Sequence, residues 1–338
     1  MEGFTLQTEE KPGALAEDRL DAVIGEMRQA FQWDDSLSHL TPVRDWESRT
    51  SILYKLEGGE GSPSVVLKVG KDWTREKARE VYDDLRSLED LFAESDKVNI
   101  NLPMVRGWSE SPPCVCFDFI EGEDFSQRLS RRAGYLSVEV EQAMAECGAA
   151  IGLFHSAGLE AATSVVDMGE MKRRLVAMGR KVLIDPDVIT PMDLTGLVSR
   201  KYGDFAPYNI RLTADGRVWI LDQPSSHAYA PIHRDVAYFL YRVERRLGRY
   251  EPDDPAEMKA TQAHLEQVFL SAYASTGPSA LDTPQDKTLF AIYLSHKNLR
   301  TARKRFNQRR FGEVPGYLRL AAGWRRKVTS GHFTGSPG

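Results

Sequence analysis

The stretch KYGDFAPYNI, residues 201 to 210, and the VWILD that follows at residues 218 to 222 set three oxygen-bearing side chains in order: Asp204, Asn209 five residues on, and Asp222. A carboxylate on a loop can orient a hydroxyl and accept its proton, while a second carboxylate with an amide oxygen suits a hard divalent cation. Phosphoryl transfer needs those parts and few others, because its catalysis rests on positioning and charge stabilisation. Gly203, directly before Asp204, allows the loop a backbone angle that other residues resist. NIRLTADGRVWILD reads as two short strands around Ala-Asp-Gly, a hairpin that carries Asn209 and Asp222 to one end of a small sheet. A Gly-Asp pair followed by Asn is also common in plain polar loops, so the loop alone decides nothing.

Taken in order, YGDFAPYN, ILDQ and HAYAPIHRDVAYFL, with Pro231 and Asp235, resemble the aminoglycoside phosphotransferase and choline kinase family. There a His-Gly-Asp loop is followed by an Asn five after the Asp and by an Ile-Asp strand end. The resemblance covers roughly residues 45 to 245. It implies an α+β, protein-kinase-like two-lobe fold, with a β-rich N-lobe over residues 1 to 122 and a larger, mostly helical C-lobe over residues 123 to 338. ATP and Mg2+ are the implied cofactors, with Asp204 beside the acceptor hydroxyl and Asn209 and Asp222 on the metal. Lys68 of VVLKVG is implied on the nucleotide phosphates, paired with Glu80 or Glu76 of the next helix, Glu80 being slightly favoured. Backbone groups around Asp118, Phe119 and Ile120 correspond to the adenine-binding hinge. The phosphate-covering loop falls in VRDWESRTS, where Ser48, Arg49, Thr50 and Ser51 stand without a glycine. Tyr202 occupies the place of the family's His, and Gln223 that of an aromatic. The implied acceptor is a small-molecule hydroxyl on an antibiotic, a nucleoside natural product, a sugar or an amino alcohol. The alternatives are a nucleotide-binding pseudokinase or scaffold, suggested by Tyr202 and the glycine-free loop, and a kinase that holds a macromolecule through a basic C-terminal segment.

The elements that position these residues follow from hydrophobic period. Residues 14 to 33 place Leu20, Val23, Ile24, Met27 and Phe31 on one helical face. SILYKLE and SVVLKVG are β-rich runs around the turn-forming GGEGSP, with Lys55 read as a solvated strand residue. Residues 74 to 95 form a helix whose inner face is Val81, Leu85, Leu88 and Phe92, with Thr74 as a cap. A strand within PPCVCFDFIEGEDF ends at Gly122, where composition turns helical and the lobe boundary is placed. Residues 137 to 158 predict a long helix stopped by Gly158, with His155 as a packing histidine near its end. A helix is expected near MGEMKRRLVAM, and helices dominate from Arg234 onward. Asp235, opening DVAYFLYRV, is expected to cap that helix or brace the loop.

With 338 residues, 41% hydrophobic and 28% charged, the chain has the composition of a globular protein large enough for two lobes. An acidic, polar N-terminus and the lack of any run near the roughly 20 apolar residues of a membrane span predict a cytoplasmic protein. Three cysteines fit a reducing compartment, and Cys114 and Cys116 of CVC have no further Cys or His to complete a metal set. The net charge of −5 hides an asymmetry, since residues 288 to 327 carry 11 Lys and Arg against Glu313 alone. A solvated helix face is the default explanation. A patch for an anionic substrate or membrane surface comes next, and nucleic acid last, because no recognised binding module accompanies the charge. A basic C-lobe also argues against polycationic aminoglycosides as acceptors.

Overall fold

The computed structural model describes residues 17–31, 41–47, 51–57, 63–130, 137–159, 164–166, 194–222, 228–247 and 255–329. The chain forms two compact units, Met1–Asp90 with Leu102–Glu121, and Leu91–Asn101 with Gly122–Gly338.

In the first unit, helix α1 (Glu17–Phe31) precedes strands β1 (Thr41–Glu47), β2 (Ser51–Glu57) and β3 (Val65–Gly70). Helix α2 (Arg75–Ala93) follows, and after strand β4 (Ile100–Asn101), which belongs to the second unit, come β5 (Val105–Glu110) and β6 (Pro113–Asp118). The antiparallel sheet has the order β1-β2-β3-β6-β5. Strand alternation sends successive side chains to opposite faces. Val65, Leu67 and Val69 join Cys114 and Cys116 against Val23, Ile24 and Met27 of α1. Val66, Val115 and Phe117 instead meet Val81 and Leu85 of α2. Both cysteines are therefore core residues on one face, and burial pushes the Cys114 thiol up to about 12. The Thr74 hydroxyl accepts the Lys77 N–H at 3.3 Å at the start of α2, whose Val81, Leu85, Leu88 and Phe92 are buried.

The second unit contains β7 (Glu123–Asp124), α3 (Phe125–Arg128), α4 (Val138–Ala157), β8 (Ser164–Val166), β9 (Leu194–Gly196) and β10 (Val198–Arg200). It continues through β11 (Ile210–Leu212), β12 (Val218–Ile220), β13 (Tyr229–Pro231) and four helices. These are α5 (His233–Leu247), α6 (Pro255–Thr276), α7 (Pro284–Asn307) and α8 (Val314–Thr329). Residues 91–101 count with this unit because β4 pairs in parallel with β12, a contact across more than a hundred residues that no local signal announces. The expected hairpin is β11–β12, with Ile210 opposite Ile220, in the sheet order β4-β12-β11-β7. Gly148 and Gly152 bring α4 directly onto α6: a Cβ at Gly148 would lie 2.2 Å from the Phe269 carbonyl oxygen, and one at Gly152 2.8 Å from that of Tyr273. The helix expected near MGEMKRRLVAM lies outside the described residues. Among the described residues no helix is long and apolar enough to cross a membrane.

Candidate active site

The loop after β10 turns sharply at Gly203, whose φ of 94° lies in the left-handed region that a side chain resists. Asp235, in the first turn of α5, holds this turn: its carboxylate accepts the backbone N–H of Tyr202 at 2.5 Å and of Gly203 at 3.3 Å. His155 Nε2 lies 3.7 Å from the same carboxylate, while its Nδ1 and the Tyr273 hydroxyl are 3.0 Å apart. Burial works to raise the Asp235 carboxyl, but the His155 imidazole, the Arg234 charge and the Tyr202 N–H outweigh it and keep it below the usual carboxylate range. Asp235 thus braces the loop and His155 braces Asp235, both from buried positions.

Tyr202 ties the loop to the strand end that follows the hairpin. Its ring is 1% exposed and meets Phe154 and Phe205 edge-on, both with centroids 5.1 Å away. Its hydroxyl donates to the backbone carbonyl of Asp222 at 2.5 Å. In the turn Pro207–Asn209, Asn209 Nδ2 donates to the Asp204 carbonyl at 2.9 Å and lies 3.5 Å from Asp222 Oδ2. The Leu221 N–H closes the hairpin end on the Asn209 carbonyl at 2.8 Å. Asp204, Asn209 and Asp222 are therefore brought together. An amide just before β11 and a carboxylate just after β12, at the same end of one hairpin, fit Mg2+, which takes one or two protein ligands and fills its shell with water and substrate phosphates. Among the described residues no cluster of three His, Cys, Asp or Glu forms a larger cage.

Four side chains around Asp204 escape sequence reasoning. Its Oδ1 accepts the hydroxyls of Tyr208 at 2.6 Å and Tyr238 at 2.8 Å, and these two oxygens are 3.1 Å apart. Burial raises both phenols, so they stay protonated as donors. Arg242, one turn beyond Tyr238, donates to the Tyr238 hydroxyl at 2.7 Å, and Lys297 Nζ sits 3.4 Å from the centroid of the same ring. Burial first, and then Arg242, Arg300 and Arg234, bring the Lys297 ammonium down to about 7, with Asp204 acting the other way. Lys297 is thus not part of a solvated face, whereas Arg303, Lys304, Arg309 and Arg310 are exposed as expected. The available signals were Tyr208 four residues after Asp204 and the Tyr238–Arg242 spacing; no local signal links Tyr238 to Asp204.

In the first unit, Lys68 stands opposite Leu53 and Val115, and strand alternation puts it with Val66 on the α2 face of the sheet. On α2, Glu80 is half-buried and meets Lys77 Nζ at 2.7 Å, whereas Glu76 is exposed and engaged by Arg75 at 2.7 Å. At the end of β6, the Asp118 N–H donates to Met104 O at 3.0 Å and the Phe119 N–H to Ser64 O at 2.9 Å. The Asp118 carboxylate is held by Arg106 at 2.6 Å. These two amides are already committed, so of the hinge residues only Ile120 keeps a backbone N–H outside these bonds. Lys55 is not simply solvated: its Nζ meets Glu57 at 2.5 Å and lies 4.3 Å over the Phe119 ring. Ser48 lies outside the described residues, as do Arg49, Thr50 and Gln223.

No protein-family model matches the sequence, and no curated protein matches it significantly. Solved structures do match. A glucosamine kinase in complex with glucosamine, ADP and inorganic phosphate aligns over 86% of this chain and 81% of its own, with a TM-score of 0.53 at 16% identity. An amicoumacin kinase in complex with AMP-PNP, Ca2+ and Ami aligns over 90% of this chain and 96% of its own, with a TM-score of 0.50 at 13% identity. At such identities the likeness is one of fold, and the chain has the protein-kinase-like fold, an N-terminal antiparallel sheet followed by a mostly helical C-terminal region.

Proposed function

We propose that this protein is a member of the aminoglycoside phosphotransferase and choline kinase family that transfers the γ-phosphoryl group of ATP to a hydroxyl of a small molecule. The observation that carries this is the joining of Asp204, Asn209 and Asp222 at one loop and strand end, with Asn209 Nδ2 bridging the Asp204 carbonyl at 2.9 Å and the Asp222 carboxylate at 3.5 Å. That fold is shared with solved small-molecule kinases, and it supports the same reading. In the reaction the acceptor oxygen bonds to the γ-phosphorus, the bond from that phosphorus to the ADP oxygen breaks, and the acceptor proton passes to the Asp204 carboxylate. Tyr208 and Tyr238 fix that carboxylate through Oδ1, so its rotamer is set before the acceptor arrives. Asn209 and Asp222 hold Mg2+, which when bound neutralises phosphate charge. Lys68 provides a cation for the phosphates, Glu80 is the α2 carboxylate that orients it, and the Ile120 end of the hinge meets adenine.

Asp204→Asn tests this directly. ATP binding is expected to stay within about twofold, while acceptor-dependent ADP release falls by roughly 10²-fold or more, because the loss lies in the chemical step. Transfer at near the parental rate would sink the assignment. An ADP-release screen over a broad panel of hydroxyl compounds, with Asp204→Asn as blank, identifies the acceptor class.

A further inference from the structure

Beside the network on Asp204 lies a cavity of about 150 Å³ lined by Arg242, Arg245, Arg246, Thr301, Lys304 and Arg305, from α5 and α7. Five of the six linings are cations and the sixth is a hydroxyl. Gathering like charges so closely costs free energy that a bound anion would relieve. Parts of the wall are held in place from behind. Arg245 donates to the Tyr317 hydroxyl at 2.7 Å and stacks over the Tyr317 ring at 5.1 Å. Thr301 Oγ1 donates to the Lys297 carbonyl at 2.9 Å. Glu313 answers one of the charges, with Oε2 3.0 Å from Arg305 Nε. Arg242 Nε is buried with no hydrogen-bond partner among the described residues.

Arg242 belongs to both places. It lines the cavity, and its Nη2 donates to the Tyr238 hydroxyl that is bonded to Asp204. The cavity is therefore two hydrogen bonds from the proposed catalytic carboxylate. Arg242, Arg300 and Arg234 also act on Lys297 as like charges, with Asp204 as the opposing charge. A polycationic acceptor would meet repulsion there, whereas an oxyanion would meet planar guanidinium forks suited to two-point hydrogen bonding.

We propose that the acceptor carries an oxyanion, a phosphate, sulfate or carboxylate, which this cavity holds while the acceptor hydroxyl faces Asp204; this rests on the phosphotransferase function proposed above. The first measurement is independent of turnover: calorimetric titration of the full chain with inorganic phosphate and with sulfate at constant ionic strength. Saturable binding is expected, weakened about tenfold by Lys304→Glu and little changed by Arg303→Glu, an exposed neighbour that does not line the cavity. No saturable binding, or equal weakening in both variants, overturns the site.

The second measurement uses pairs of hydroxyl compounds that differ only by a phosphate, sulfate or carboxylate. ADP release is expected to favour the anionic member through a lower KM, and Lys304→Glu to remove that preference; the favoured pair identifies which oxyanion is used. Equal turnover of both members, unaffected by Lys304→Glu, overturns the anionic acceptor and leaves phosphoryl transfer standing. If inorganic phosphate binds as expected but no acceptor is phosphorylated, the phosphotransferase function fails and the acceptor assignment with it, while the anion site survives.

Discussion

Replacing Tyr202 with Phe removes one oxygen and nothing else from a ring that is 1% exposed. The edge contacts with Phe154 and Phe205 survive, so no cavity is created and the packing contribution cancels. What is lost is the 2.5 Å bond to the Asp222 carbonyl. A part-buried acceptor left without its donor costs up to the roughly 1–3 kcal/mol of a buried one. For a unit of this size each kcal/mol moves the melting temperature by about 2–4 °C, so a drop of roughly 2–12 °C is expected by calorimetry. A second effect follows from where that carbonyl lies, on the residue whose carboxylate is proposed to hold Mg2+. Loss of a group that orients a metal ligand typically weakens the metal or the activity about 10–100-fold. ADP release measured against Mg2+ at saturating ATP is therefore expected to need at least about tenfold more Mg2+. A variant that melts within about 1 °C of the parent and shows the same Mg2+ dependence would refute the idea that this phenol carries the loop to the metal-side strand.

Two further predictions concern pH. Asp235 has a folded-state pKa below its unfolded value, so its contribution is complete above the ordinary carboxylate range near about 4 and is lost as pH falls through the lower folded value. Asp235→Asn is expected to destabilise by on the order of 3 kcal/mol at neutral pH and to lose stability less steeply than the parent below about pH 4; parallel melting curves in acid would contradict this. Lys297 is also depressed, to about 7, so the unfolded chain holds the extra proton between there and the ordinary lysine value near about 10, and stability rises with pH across that window. Lys297→Met should therefore flatten the stability profile between about pH 7 and pH 10, and an unchanged slope in chemical denaturation would count against the buried cation.

The parts of the site that lie close together in the chain were legible. Gly203, Asp204 and Asn209 sit within one loop, and a single hairpin spans Asn209 to Asp222, so period and turn chemistry suffice to bring them together. The inner faces of α1 and α2 followed from helical period for the same reason. Tyr238 was not legible as a site residue: within an apolar helix a tyrosine reads as packing, and only the placement of α5 brings its hydroxyl to a carboxylate 34 residues upstream. Lys297 was hidden by its neighbours, since a run of cations looks like a solvated face until helix phase turns one of them inward over a ring. Lys55 shows the same effect in a strand, where alternation lays the side chain along Phe119. The bond from Tyr202 reaches a backbone carbonyl, a group every residue has, and so leaves no mark in side-chain identity.

The glycine contact between α4 and α6 has a consequence for motion. Where two helix backbones touch, as at Gly148 against Phe269 and Gly152 against Tyr273, local opening must separate main chains as well as side chains, and amide hydrogens there exchange only through rare, extensive openings. His155 is carried near the end of α4, where the Ser199 hydroxyl of β10 donates to its carbonyl at 2.8 Å and Asp235 continues the link to the loop that carries Asp204. The loop backbone thus inherits the long opening time of the helix pair behind it. Fitting of the acceptor proposed above falls instead to the long side chains of α5 and α7, whose rotamers relax many orders of magnitude faster.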